Sequence, residues 1–215
     1  LAAKLKQKTG EKMTFSLLPD GTPTQMRLKI GIMGSASGQF EEDRLKSAYD
    51  LGQAIARYEC VCVTGACPGF PYETAKGVKD GGGLVVGISP GLSIQEHLYK
   101  YHSPIEYTDV LIFTGSGLMG REITNIRSCD IVIIVGGRSG TLGEFSIAYD
   151  EGKLIGVLTG TGGIADHLKE LEKVISKSTG SEIIYNDDPV DLMDKLIEAY
   201  QARHYQHPSV FNGKT

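Results

Sequence analysis

The stretch Gly136-Gly137-Arg138-Ser139-Gly140-Thr141 sets three glycines, a cation and two hydroxyls between a β-branched run and a helical pattern. Residues of these types in this order suit an anion. Glycine lets backbone amides come close, and a helix start offers free N–H groups on the positive end of its dipole. Arg138 adds charge, while Ser139 and Thr141 add hydroxyl donors. Phosphate binding is the chemistry this predicts; the competing reading is a tight turn closed by a helix cap. Glu144, three residues on, also has two readings. Thr141-Leu142-Gly143-Glu144 matches a capping box, whose glutamate folds back onto the amide of its first residue. Otherwise its carboxylate stands one turn above a phosphate cradle and faces whatever carries the phosphate. Arg121 opens the preceding helical pattern, either pointing into the same crevice or lying on the surface.

Other glycine clusters follow other strand-like runs: Gly34-Ser35-Ala36-Ser37-Gly38, Gly65-Ala66-Cys67-Pro68-Gly69, and Thr159 to Gly163. Gly34, Ser35 and Gly65 are therefore predicted to border the ligand. Gly115-Ser116-Gly117-Leu118-Met119-Gly120 matches GxGxxG, the dinucleotide signature. The next strand, however, ends in Val135-Gly136-Gly137, with no carboxylate for a ribose, so a nicotinamide cofactor is not expected. Instead Gly117 lets the Arg121 helix approach the pocket, and Met119 lines its wall. His97, His102, His167, His204 and His207 lack HExxH-like spacing, and Cys60, Cys62, Cys67 and Cys129 lack paired CxxC spacing. The histidines read as structural or solvent-facing and the cysteines as buried, reduced thiols. No metal and no cofactor are expected.

The elements that must hold these loops alternate from Leu28 onward. Strands are predicted over Lys29–Met33, Cys60–Thr64, Leu84–Ser89, Val110–Thr114, Ile131–Val135, Leu154–Leu158 and Ile183–Tyr185. Helical patterns fall near 43–58, 72–79, 121–128, 142–151, 164–176 and 189–204. In the first, Leu45, Ala48, Leu51, Ala54 and Ile55 keep near 3.6-residue spacing with charges between. Runs such as Ile131-Val132-Ile133-Ile134-Val135 suit strands buried on both faces of a parallel sheet. The prediction is an α/β fold: a Rossmann-like, doubly wound parallel sheet of about seven strands with helices on both faces. Ligands of such sheets bind beyond the carboxyl ends of the strands, where the glycine clusters would gather. Residues 28–207 form that domain, 1–27 an N-terminal hairpin or extended arm, and 208–215 a tail.

Composition agrees. The 215 residues suffice for one such domain, and 28 glycines are about twice the usual share. A formal charge of −4 speaks against a general grip on nucleic acid. The longest aliphatic run, Ile131–Val135, is too short to cross a bilayer, and no secretory leader is evident. A cytoplasmic protein is expected, although the chain begins at Leu1 rather than at a methionine.

With these loops laid out, the sequence resembles the LOG family of cytokinin riboside 5′-monophosphate phosphoribohydrolases from about Lys29 to Lys195. Ile30 to Ser35 resembles the family's first strand and loop. Arg121, followed by Gly136 through Glu144, resembles its arginine-bearing helix and PGGxGTxxE motif. The resemblance implies Arg121 and Glu144 as catalytic residues and Gly136, Gly137, Gly140 and Thr141 as the phosphate loop. It implies hydrolysis of the N-glycosidic bond of a nucleoside 5′-monophosphate to free base and ribose 5-phosphate, without a metal. A homodimer with pockets near its interface is implied too. Val135 departs from the motif's proline, the loop carries one extra residue, and Glu122 stands where a lysine is usual. The alternative is a non-catalytic carrier of a nucleotide or of a phosphorylated pterin such as the molybdenum cofactor, whose carrier proteins resemble this family.

Overall fold

The computed structural model describes residues 15–206. Seven parallel strands form its sheet: β3 (Lys29–Gly34), β4 (Val61–Thr64), β5 (Leu84–Ser89), β6 (Val110–Phe113), β7 (Ile131–Val135), β8 (Leu154–Leu158) and β9 (Glu182–Asn186). Their order across the sheet is β6-β5-β4-β3-β7-β8-β9. The chain winds outward from β3 to β6, returns to place β7 against the other side of β3, and winds out again to β9. The doubly wound expectation is met. The switch in winding direction falls between β3 and β7, paired from Ile30↔Ile131 to Gly34↔Val135.

Strand side chains alternate between two cores, as a two-fold pleat requires. Ile131, Ile133 and Val135 face one, packed by α1 (Glu42–Arg57), α2 (Phe70–Asp80) and α6 (Pro189–Gln201). Val132 and Ile134 face the other, under α3 (Gly117–Arg127), α4 (Ser139–Asp150) and α5 (Leu168–Ile175). Burial of β7 on both faces explains its unbroken β-branched sequence.

The predicted bounds of β5, β7 and β8 agree to the residue, whereas Cys60 and Thr114 lie just outside β4 and β6. The larger corrections concern helix starts. α3 begins four residues before Arg121, at Gly117, and α4 begins at Ser139 rather than Leu142. The 164–176 pattern divides into a 3₁₀ turn, Gly163–His167, and α5. A π-helical turn, Glu96–Lys100, was not foreseen. It is pinned by His97, fully buried with one ring nitrogen on Ser89 Oγ at 2.9 Å and the other on the Pro104 carbonyl at 3.3 Å.

The N-terminal segment forms the expected hairpin, β1 (Phe15–Leu17) against β2 (Pro23–Arg27). It docks at the amino ends of β3 and β7. Ser16 Oγ donates to Asp130 at 3.0 Å, Lys29 pairs with Asp130 at 2.7 Å, and the Leu17 amide donates to the Tyr200 hydroxyl at 3.1 Å. The hairpin therefore lies on the edge opposite the glycine-rich loops. His207 and the tail 208–215 lie outside the described residues.

Candidate functional site

The loops after β3 and β7 diverge at the switch point, and between them opens a pocket of about 270 Å³. Its walls come from four places: the end of β3 and the loop after it (Ile32, Gly34 and Ser35–Ser37), the segment after β4 (Gly65, Cys67 and Pro71), α3 (Leu118, Met119, Arg121 and Glu122), and the start of α4 (Arg138, Gly140, Thr141 and Glu144). A crevice at this point of a doubly wound sheet is where ligands of such folds bind.

Gly34 and Gly65 are glycine because neighbours leave no room. A Cβ on Gly34 would stand 2.5 Å from the Val135 carbonyl oxygen, and one on Gly65 1.8 Å from Arg121 Nη1. The second contact shows what Arg121 does. Its side chain is buried, and Nη1 donates to the carbonyls of Gly65 and, at 3.3 Å, Ile88. The guanidinium thus ties together the carboxyl ends of β4 and β5. Nε has no partner among the described residues. Its charge draws down the Cys67 thiol, which burial otherwise pushes up.

The phosphate loop is narrower than its sequence implies. The Gly136 amide donates to Thr161 Oγ1 at 2.8 Å and the Gly137 amide to Ser35 Oγ at 2.9 Å. Their carbonyls accept from Ala165 and Ile164. Gly136 and Gly137 therefore lock the loop to its neighbours and do not line the pocket; nor do Ser139 and Gly117. What remains is the first turn of α4. No side chain caps it, and a helix has no internal acceptors for the amides of Ser139, Gly140 and Thr141. Arg138 lies exposed beside them, its Nη2 2.6 Å from where a Cβ on Gly38 would stand. Charge, free amides and the Ser37 wall meet at one rim.

Because α4 starts at Ser139, Thr141 is not its N-cap and Glu144 sits in the second turn. The capping-box reading is overturned. Glu144 is instead buried, lines the pocket, and has no hydrogen bond or ion pair among the described residues. Burial pushes its carboxyl up to about 8, with Arg121 drawing it down and Glu122 pushing it further up. Glu122 is also buried, lines the same pocket and is raised by burial. Structure thus brings together Arg121, Glu144, Arg138, Gly140, Thr141, Gly34, Ser35, Gly65 and Met119. It adds Glu122, Cys67 and Ser37, which the sequence reading passed over. A buried carboxylate beside Arg121 leaves no periodicity signal; the departure from the usual lysine was the one hint. Among the described residues no group of three or more His, Cys, Asp or Glu side chains is placed to hold a metal.

Residues 27–193 match the model of the SLOG cluster4 family. The chain belongs to the SLOG cluster4 family. The match bears out the Rossmann-like superfamily expected from the sequence, without singling out LOG within it. A relative of this SLOG protein from Archaeoglobus fulgidus, described only as uncharacterized, is 34% identical over 131 residues, 61% of this chain and 80% of its own. Among solved structures, the molybdenum cofactor binding protein of the phototrophic bacterium Rippkaea orientalis is 29% identical with a TM-score of 0.67, over 82% of this chain and 99% of that one. The molybdenum cofactor carrier protein of Chlamydomonas reinhardtii is 26% identical with a TM-score of 0.63, over 80% and 99%.

Proposed function

We propose that this protein binds a small phosphorylated metabolite at the β3/β7 switch point and holds it without turnover. The ligand class is a nucleotide or a phosphorylated pterin such as the molybdenum cofactor. The phosphate would rest on the α4 amides beside Arg138, and the remainder of the ligand would run towards Glu122 and Glu144. One observation carries the non-catalytic reading: Arg121 Nη1 donates to the Gly65 and Ile88 carbonyls and so anchors the guanidinium to the strand ends. An arginine used this way holds strand ends rather than clamping a reacting oxygen. A Glu144 carboxyl kept protonated at neutral pH also suits a ligand contact better than stabilisation of a cationic sugar. The names of the two cofactor-binding structural relatives support the same reading.

The second reading is hydrolysis of a nucleoside 5′-monophosphate, favoured by the meeting of Arg121 and Glu144 in one pocket. Titration with the molybdenum cofactor, AMP, GMP and CMP, with assay for free base, separates the two. Saturable binding without release of base is expected. Base release that disappears in Glu144→Ala would establish the hydrolase. Self-association in a cytoplasmic setting completes the proposal. Among the described residues no helix is long and apolar enough to cross a membrane, and all four cysteines are free.

A further inference from the structure

Glu122 is the feature that phosphate binding leaves unused. It is 7% exposed, yet neither of its carboxyl oxygens has a hydrogen-bond or ion-pair partner among the described residues. Both face the first turns of α4. Oε1 is 3.8 Å from where a Cβ on Gly140 would stand and Oε2 3.7 Å from the corresponding point on Gly143. A Cβ at 140 or 143 would lie in ordinary van der Waals contact with the carboxyl, which places Glu122 directly against these turns. Arg121, next along α3, turns its guanidinium away onto strand-end carbonyls and does not pair with Glu122. The Glu122 oxygens are not among the fully buried atoms, so they open onto the pocket, and a ligand that displaces water from them must offer donors in exchange.

The donors this carboxyl can accept are limited by shape. Two oxygens on one plane match two N–H groups side by side on a flat ligand, the geometry that makes carboxylate pairing with planar donors bidentate. A ring with a 2-amino-4-oxo-pyrimidine edge presents such a pair, a ring N–H next to an exocyclic amine. Guanine and pterins carry it. Adenine offers an acceptor where the ring N–H should be, and hypoxanthine lacks the amine.

We infer that Glu122 reads the ligand's ring, selecting a phosphorylated 2-amino-4-oxo-pyrimidine such as a guanine nucleotide or a phosphorylated pterin. The inference rests on the phosphorylated-ligand reading above and names its ligand class. Glu144, beside it, supplies the second polar contact, and the exposed Leu118 and Met119 offer the ring an apolar face.

The test is isothermal titration of the full chain with GMP, IMP and AMP, each with and without EDTA, in wild type and Glu122→Gln. Losing a charge-assisted pair of hydrogen bonds costs roughly tenfold to a hundredfold in affinity. GMP is therefore expected to bind at least about tenfold tighter than IMP or AMP, with no effect of EDTA. In Glu122→Gln the GMP preference should collapse while AMP affinity holds, which also shows that the variant is folded. Equal binding of all three by wild type would overturn the Glu122 assignment and leave the phosphate site standing. No binding of any nucleotide or of the molybdenum cofactor would overturn the phosphate reading, and this one with it. A loss of affinity in EDTA that Glu122→Gln abolishes would make the carboxylate a cation ligand and refute the ring-reading role.

Discussion

Glu144 makes stability depend on pH in a direction opposite to that of a salt-bridged carboxylate. Unfolded, its carboxyl titrates near the usual 4.5; folded, it titrates near 8. Between those values the folded chain holds a proton that the unfolded chain has released. Rising pH therefore draws the equilibrium towards unfolding from about 4.5 to about 8, with no further loss from this group above that. Arg121 and Glu122 are the charges that face it, the first opposing the shift and the second adding to it. Glu144→Gln keeps the shape and removes the titration. Its melting temperature should exceed that of wild type at pH 8 by several degrees, at roughly 2–4 °C per kcal/mol for a chain of this length, and match it near pH 4.5. Equal melting temperatures at both pH values would refute the buried, partnerless carboxyl. Arg138 is the converse case, an exposed cation whose loss should leave stability alone. Arg138→Ala is expected to weaken binding of a nucleoside monophosphate about tenfold and to flatten its salt dependence, measured by titration at two ionic strengths. These two residues were legible in the sequence because a strand–glycine–helix motif presented them. Glu122 and Cys67 were not, since only their place in the pocket wall marks them and that is a product of packing.

At the scale of elements, strands were easier to read than helix starts, for a physical reason. β7 and β8 are buried on both faces, so every residue must be apolar and each end is marked by the first that is not. A helix start following glycine has no such edge. Ser139 and Gly140 carry no apolar pattern, so α4 was expected three residues late, and that displacement alone produced the capping-box reading of Glu144. The loop before it looked like a continuous cradle. Which of its amides remain free is decided by Thr161 and Ser35, which come from other loops and which sequence spacing cannot pair with it. The same dependence between elements governs Gly65. Its alanine variant would drive a methyl group into the Arg121 guanidinium that holds β4 to β5. Overpacking of this kind costs roughly 1–3 kcal/mol, which thermal unfolding would register. In an Arg121→Ala background the obstruction is gone, so Gly65→Ala should then cost little more. Additive losses across that double-mutant cycle would show that the two residues do not meet in this way.

For the whole molecule, the sheet's two edges are treated differently. Beyond the amino ends of β3 and β7 the hairpin is tied down through Asp130 and Tyr200, so that end of the protein is closed. The lateral edge at β6 is open. Its outer side pairs with no strand among the described residues, and Val110, Ile112 and Phe113 are exposed on it. Leu92 and, on α3, Leu118, Met119 and Ile123 are exposed as well, Met119 to 71%, and Leu118 and Met119 also line the pocket. An unpaired apolar edge is a template for pairing, and each large side chain withdrawn from water contributes about 1.5–3 kcal/mol at full burial. A second copy of the chain is the occupant that fits: two such edges can cover one another, and Leu118 and Met119 would then wall the pocket on the side now open. Sedimentation equilibrium at micromolar concentration should give twice the chain mass of 23.2 kDa. The double variant Ile112→Lys, Ile123→Glu should sediment at 23.2 kDa with an unchanged circular dichroism spectrum. If the pocket depends on its neighbour, that monomer should also bind ligand more weakly, although neither substituted residue lines the site. A wild-type mass of one chain would refute the pairing. A dimer that survives both substitutions would move the contact to another face.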